Sequence, residues 1–255
     1  MDILNQFNGS TVRVWGRNSA VGNTAAELIY QNSIAIDFRA VFDAAYKLQV
    51  TSGGAGGTAD AEAGTGAQKV RIVGLDGSYN LISEDVALNG QNYVETAKTF
   101  KRVFAADVCQ AGTGNTNAGT IYVIKTGTGG ALTAGTPATL TSCVVMIPVG
   151  ENTSCAAHFT APAGTSYRLK SIVLTNTTQA STVYVYVTDT ASATDKTMHP
   201  IGIYELPATT DPFVLDSTQF EPIILTAGQE ISVWAKAAVS GAITTAQLIL
   251  SKNSF

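Results

Sequence analysis

Charged side chains are scarce in this chain. Asp, Glu, Lys and Arg make up 13% of its 255 residues, against ~25% in an ordinary soluble domain. The net charge of −4 lacks the basic footprint of a nucleic-acid binder. Lys98, Lys101 and Arg102 form the one tight basic cluster, too small for a groove that tracks phosphates. Long apolar runs are missing as well, so no segment approaches the ~20 residues of a membrane span. Asp2 stands where a signal peptide carries its basic region. A terminal Phe255 can end an outer-membrane barrel, but Ser251 and Asn253 break the alternation of such a last strand. These absences predict a chain made and kept in the cytosol until assembly, with neither nucleic acid nor membrane as partner.

Residues that carry chemistry are equally sparse. Cys109, Cys143 and Cys155 are an odd number without C-x-x-C spacing, so they predict small reduced core residues, with no zinc site or disulfide framework. The two histidines, His158 and His199, lie in unrelated contexts with no G-x-S-x-G or H-E-x-x-H, which leaves no nucleophile–base pair and no metal ligand set. The glycine runs at Gly53–Gly57, Gly112–Gly119 and Gly127–Gly130 lack the Gly-Lys-Ser/Thr of a phosphate loop. Asp189 and Asp195 lack the carboxylate spacing of a calcium loop. Glu84 and Asp85 fall on opposite faces of one strand and cannot pair as acid and base. The expectation is a non-enzyme with no cofactor and no metal.

What is abundant is Gly (24 residues), Thr and Val, with a hydrophobic fraction of 45%. Thr and Val favour pleated half-buried surfaces and Gly favours turns, so the composition predicts an all-β chain of the β-sandwich type. In Val70–Gly74, Val70 and Ile72 point one way while Lys69 and Arg71 point the other. Asp76-Gly77 and Asn89-Gly90 supply turn signals around a second strand at Leu81–Leu88. Further strands are predicted at Thr99–Val108, Thr120–Lys125, Cys143–Val149, Cys155–Thr160, Ser166–Leu174 and Thr182–Thr188. Ile223–Thr226 and Ile231–Ala237 read as a hairpin, and Ala246, Leu248 and Leu250 close the sheet. Pro207, Pro212 and Pro222 confine Ile203–Phe220 to edges and connections.

Three consecutive parts are expected: an extended N-terminal arm over 1–31, a β-domain over 32–140, and a jelly-roll-like sandwich over 141–255. Thr24–Tyr30 reads as a turn of helix, Ile34–Leu48 as a short helix or turn entering a strand. Thr51–Ala67 reads as a loop lying on a neighbour or in solvent, and Thr126–Thr136 as the boundary.

Two stretches carry a resemblance. GRNSAVGNTAAE (Gly16–Glu27) with GTGAQKVRIVGLDGSYNLISEDVALNG (Gly64–Gly90) resembles a family of tailed-phage virion proteins. FTAPAGTSYRLKSIVLTNTT and VYVYVTD, followed by LTAGQEISVWA, resemble a jelly-roll module of phage structural and tail proteins. The resemblance implies a virion structural protein, specifically a capsid decoration (cement) protein at the capsid surface, made in the host cytoplasm. It would act as a homo-oligomer, a trimer, on the major capsid protein. The alternative is a tail or fibre protein that binds a host receptor or glycan.

Candidate partner-contact residues are Phe7, Arg13, Trp15 and Arg17 in the arm, where an aromatic flanked by arginines is the mix that anchors interfaces; the alternative is an arm packed on its own sandwich with Trp15 in the core. Lys98, Lys101 and Arg102 are added, either as a solvated strand face or as a face for an acidic protein partner. Tyr184, Tyr186, Tyr204 and Trp234 read either as cross-strand packing or as a platform for sugar.

Overall fold

A computed structural model of the chain describes residues 3–30, 43–54, 56–189, 197–218 and 222–253. The chain forms two compact units. One joins Met1–Ala35 to Ala156–Phe255, and the other is Ile36–Cys155. The three consecutive parts expected from the sequence are therefore regrouped. The 1–31 segment is no separate arm, because Thr11–Val21 pairs along its length with Ala242–Lys252, antiparallel, from Thr11 opposite Ser251 to Val21 opposite Ala242. Alternation explains why: Val12, Val14 and Val21 are buried while Arg13 and Arg17 are exposed.

The first unit is a jelly roll of two antiparallel sheets. One runs Thr11–Val21, Ala242–Lys252, Tyr167–Thr177, Thr210–Asp216. The other runs His158–Thr160, Gln229–Ala237, Ser181–Asp189, His199–Leu206, with Glu27–Leu28 also on Gln229–Ala237. Inward positions are apolar at every second residue, as in Val183 and Val185 or Ala246, Leu248 and Leu250, all fully buried. Phe159 meets Tyr167 edge-on at 4.9 Å between the sheets. Two sequence expectations change here. Thr24–Tyr30 holds the short strand Glu27–Leu28 rather than a helical turn. Ile224–Leu225 pairs with Tyr167–Thr177 and not with Gln229–Ala237, so the segment crosses between sheets instead of forming a hairpin.

The second unit also packs two four-stranded sheets. One runs Cys143–Ile147, Thr120–Lys125, Leu48–Gly53, Val94–Glu95; the other runs Thr153–Cys155, Arg102–Ala111, Ala67–Leu75, Leu81–Ala87. Ala67–Leu75 and Leu81–Ala87 form the expected hairpin, with Val70 opposite Val86 and Arg71 opposite Asp85. Its turn differs in detail: the positive φ falls at Tyr79 (63°) and not at Gly77, while Asp76 accepts the amides of Ser78 and Asn80. Thr126–Thr136 is no linker, since Leu132–Thr133 and Thr136–Pro137 pair with each other inside this unit. The expected strand Cys155–Thr160 divides at the unit boundary, between Thr153–Cys155 and His158–Thr160. The reading of Ile34–Leu48 lies largely outside the described residues.

Thr51–Ala67 is built into its own unit rather than laid on a neighbour. It contributes the end of Leu48–Gly53, a short 3-10 helix at Gly57–Ala59 and the fully buried Asp60.

Candidate interaction surface

The jelly roll places Arg13, Trp15 and Arg17 at successive outward positions of one edge strand, because Val12 and Val14 between them face the core. Across the sheet these three begin parallel rows. Arg13 stands opposite Ile249, which stands opposite Ser171, which stands opposite Asp216. Trp15 leads through Gln247 and Val173 to Val214. Arg17 leads through Thr245 to Thr175.

The interior of this face is uncharged and half-buried. Beside the half-buried Trp15 lies an open groove walled by Val173, Thr175, Thr245 and Gln247. At the far edge Val214 is 50% exposed. Asp216 there is exposed, and its hydrogen bonds from the Thr218 hydroxyl and amide hold its carboxyl below the usual range, so it is ionised at neutral pH. The face thus carries positive charge at one edge, negative charge at the other, and none between.

The other expected contact residues are placed differently. Phe7, on the helix Ile3–Asn8, is 1% exposed and belongs to the core of the first unit. Arg102 is also buried, its guanidinium donating to the Lys101 carbonyl at 2.7 Å. Burial within the chain itself removes both from any surface a partner could reach. Lys98 donates to the Ser83 carbonyl and Lys101 to the Asp43 carbonyl, so both ammonium groups bond within the second unit.

Of the four aromatics, three share a face: Tyr184 is opposite Trp234 and stacks on Tyr186 at 6.0 Å. Tyr204 pairs with the inward-facing Val183 and packs on Phe213 at 5.8 Å. His158 is buried in its strand and His199 is exposed at the start of another. Among the described residues, no group of three or more His, Cys, Asp and Glu side chains is placed to hold a metal ion.

The sequence reading missed Asp60. Its carboxylate, fully buried, accepts from the Ala67 and Ala118 amides through Oδ1, at 2.7 and 2.8 Å, and from the Ser52 hydroxyl and Gly119 amide through Oδ2, at 2.6 and 2.7 Å. It ties the end of the strand Leu48–Gly53, the start of Ala67–Leu75 and the turn at Ala118–Gly119 together. An Asp in a run of small residues carries no periodic signal that would reveal this.

No protein-family profile matches the chain, and no curated protein matches it. Among solved structures, that of infectious bursal disease virus Gx strain aligns at 11% identity over 94% of this chain and 72% of that one, with a TM-score of 0.23. The Gt strain aligns at 13% identity over 96% and 77%, with a TM-score of 0.12. T=1 particles derived from the same virus align at 11% identity over 95% and 77%, again with a TM-score of 0.12. At these scores the likeness carries no argument about fold or function, and the jelly roll rests on this chain's own strand order.

Proposed function

We propose that this chain is a structural protein of a virion, and specifically a decoration protein on the head of a tailed phage. The observation that supports it is the outward face around Trp15: an uncharged sheet surface with an aromatic set between two arginines, on a rigid jelly roll. Such a face suits adhesion to other protein, where a central aromatic and arginine carry most of the energy. The mechanism is additive adhesion. Many copies bound to the shell, each with modest affinity, favour the assembled particle by mass action and multivalency. The chain acts in the virion as a homo-oligomer, with the major capsid protein as its other partner.

Tyr184, Tyr186 and Trp234 on one face support a second reading, a tail or fibre protein that contacts host glycan, since sugar rings stack on such surfaces. Copy number separates the two. In purified particles a decoration protein should appear near the stoichiometry of the major capsid protein, whereas a receptor binder should appear at a small fraction of it. Absence from purified particles would reject both.

A further inference from the structure

We infer that the sheet face carrying Trp15 is self-complementary and binds the same face of a second copy of this chain. The inference rests on the particle-building reading and names the partner of that surface. Arg13 and Asp216 end a single cross-strand row, with Ile249 and Ser171 between them. Three strand spacings of ~4.8 Å put these ends ~14 Å apart.

A two-fold axis lying in the interface along the strands reverses every row. Arg13 then meets Asp216 of the second copy, and Asp216 meets that copy's Arg13. The same operation sets the exposed Val214 over the groove beside the second copy's Trp15. Arg17 lies level with Thr175, opposite the bulge between Phe213 and Thr210 that holds the exposed Asp211.

The middle of the face suits burial for the same reason. Gln247, Thr245, Ser171 and Val173 bring no charge there, so the contact buries no ion without a partner. Arg168, Lys170 and Lys252, the other basic groups of this sheet, lie past Ser171 and outside the three rows. A partner of one charge sign would satisfy one edge and be repelled at the other, which disfavours nucleic acid or an anionic membrane. A second copy supplies both signs in the right order, and two-fold contacts of this isologous kind are the commonest between identical chains.

The test is the mass of the full chain in solution at micromolar concentration, by sedimentation. The wild-type chain should have an even number of copies. Arg13→Asp alone, Asp216→Arg alone and Val214→Asp should each lower the mass about twofold, with unchanged circular dichroism. Combining Arg13→Asp with Asp216→Arg in one chain should restore the original mass, which no folding defect would do. A monomeric wild type, single reversals that keep the mass, or a combined variant that stays at half mass would each overturn the proposal. None of these outcomes touches the copy number in purified particles, so the virion reading stands or falls separately.

Discussion

Ile29 and Ala157 occupy the same rung of the jelly roll, both hydrogen-bonded to Val233. The Ile29 amide donates to the Val233 carbonyl at 2.9 Å, and the Val233 amide donates to the Ala157 carbonyl at 2.9 Å. Ala157 in turn donates to the Ile29 carbonyl at 2.8 Å, and Tyr30 bridges Ala156 just beyond. One strand is interrupted at this rung and resumes in register, with Leu28 opposite Trp234 on one side and His158 opposite Ser232 on the other. The second unit is an insertion at this break in the strand. Removing residues 30–157 and joining Ile29 to His158 should leave Ile29 able to make both bonds to Val233. The shortened chain should be β-rich and unfold in one cooperative transition by circular dichroism. A chain without cooperative melting would refute the insertion.

Gly16 faces this break from the opposite sheet. A Cβ there would sit 2.0 Å from the Ile29 carbonyl oxygen and 2.7 Å from the Ala157 amide nitrogen. Backbone on both sides cannot yield as a flexible side chain would. Gly16→Ala should therefore destabilise the first unit by about 2 kcal/mol or more, read as a lower denaturation midpoint.

Asp60 has the opposite exposure to substitution, since what matters is loss rather than excess. Asp60→Ala leaves four buried or part-buried donors, from Ser52, Ala67, Ala118 and Gly119, without their acceptor. Each unsatisfied donor costs ~1–3 kcal/mol, enough to unfold a marginal unit. Limited proteolysis should then cut within 43–154 first and spare the jelly-roll segments.

Val14 and Trp15 are neighbours with different fates. Val14 is 1% exposed in the core, so Val14→Ala should cost about 1–3 kcal/mol of stability through the cavity it leaves. Trp15 lies on the outer face, and Trp15→Ala should keep a near-wild-type melting temperature while weakening the association made through that face by about 2 kcal/mol, read in the concentration dependence of the sedimenting mass. Deleting Met1–Ser19 should unfold the first unit, because it removes most of a paired strand and Phe7 along with Trp15.

The thiols of Cys109 and Cys143 should be inert at neutral pH. Burial pushes the Cys143 thiol up to about 12, and burial followed by the nearby Asp85 charge pushes Cys109 up to about 11, from 9.0. At pH 8 the Cys109 thiolate population falls ~100-fold, so iodoacetamide labelling of Cys109, read by peptide mapping, should be slower by about that factor in native protein than after unfolding. The folded state holds these protons more tightly than the unfolded one. The stability they add is thus present below about pH 9 and lost as pH rises through about 11 and then 12.

Alternation made much of the fold legible in the sequence. A period of two tells each strand which side chains face the core, so Thr120–Lys125 matches its expected bounds, and Val183, Val185, Ala246, Leu248 and Leu250 are buried as the alternation requires, although the row ends early at Val187, which is half-buried beside the buried Thr188. Proline marked edges for the same local reason: it has no amide to donate, and the strands with Pro200 and Pro212 lie at sheet edges. The pairing of strands was decided only in the tertiary structure. Backbone hydrogen bonds are the same for every residue type, so nothing local says that Ile224–Leu225 and Gln229–Ala237 belong to different sheets, or that Glu27–Leu28 and His158–Thr160 share a partner. Local chemistry was enough for β structure and most inward faces, because alternation is written in neighbouring residues; it marked Arg13, Trp15 and Arg17 as contact residues but not as part of a paired strand. Long-range packing alone put Asp216 at the far end of the row from Arg13, buried Phe7 and Arg102, and brought the Ala118 and Gly119 amides to Asp60.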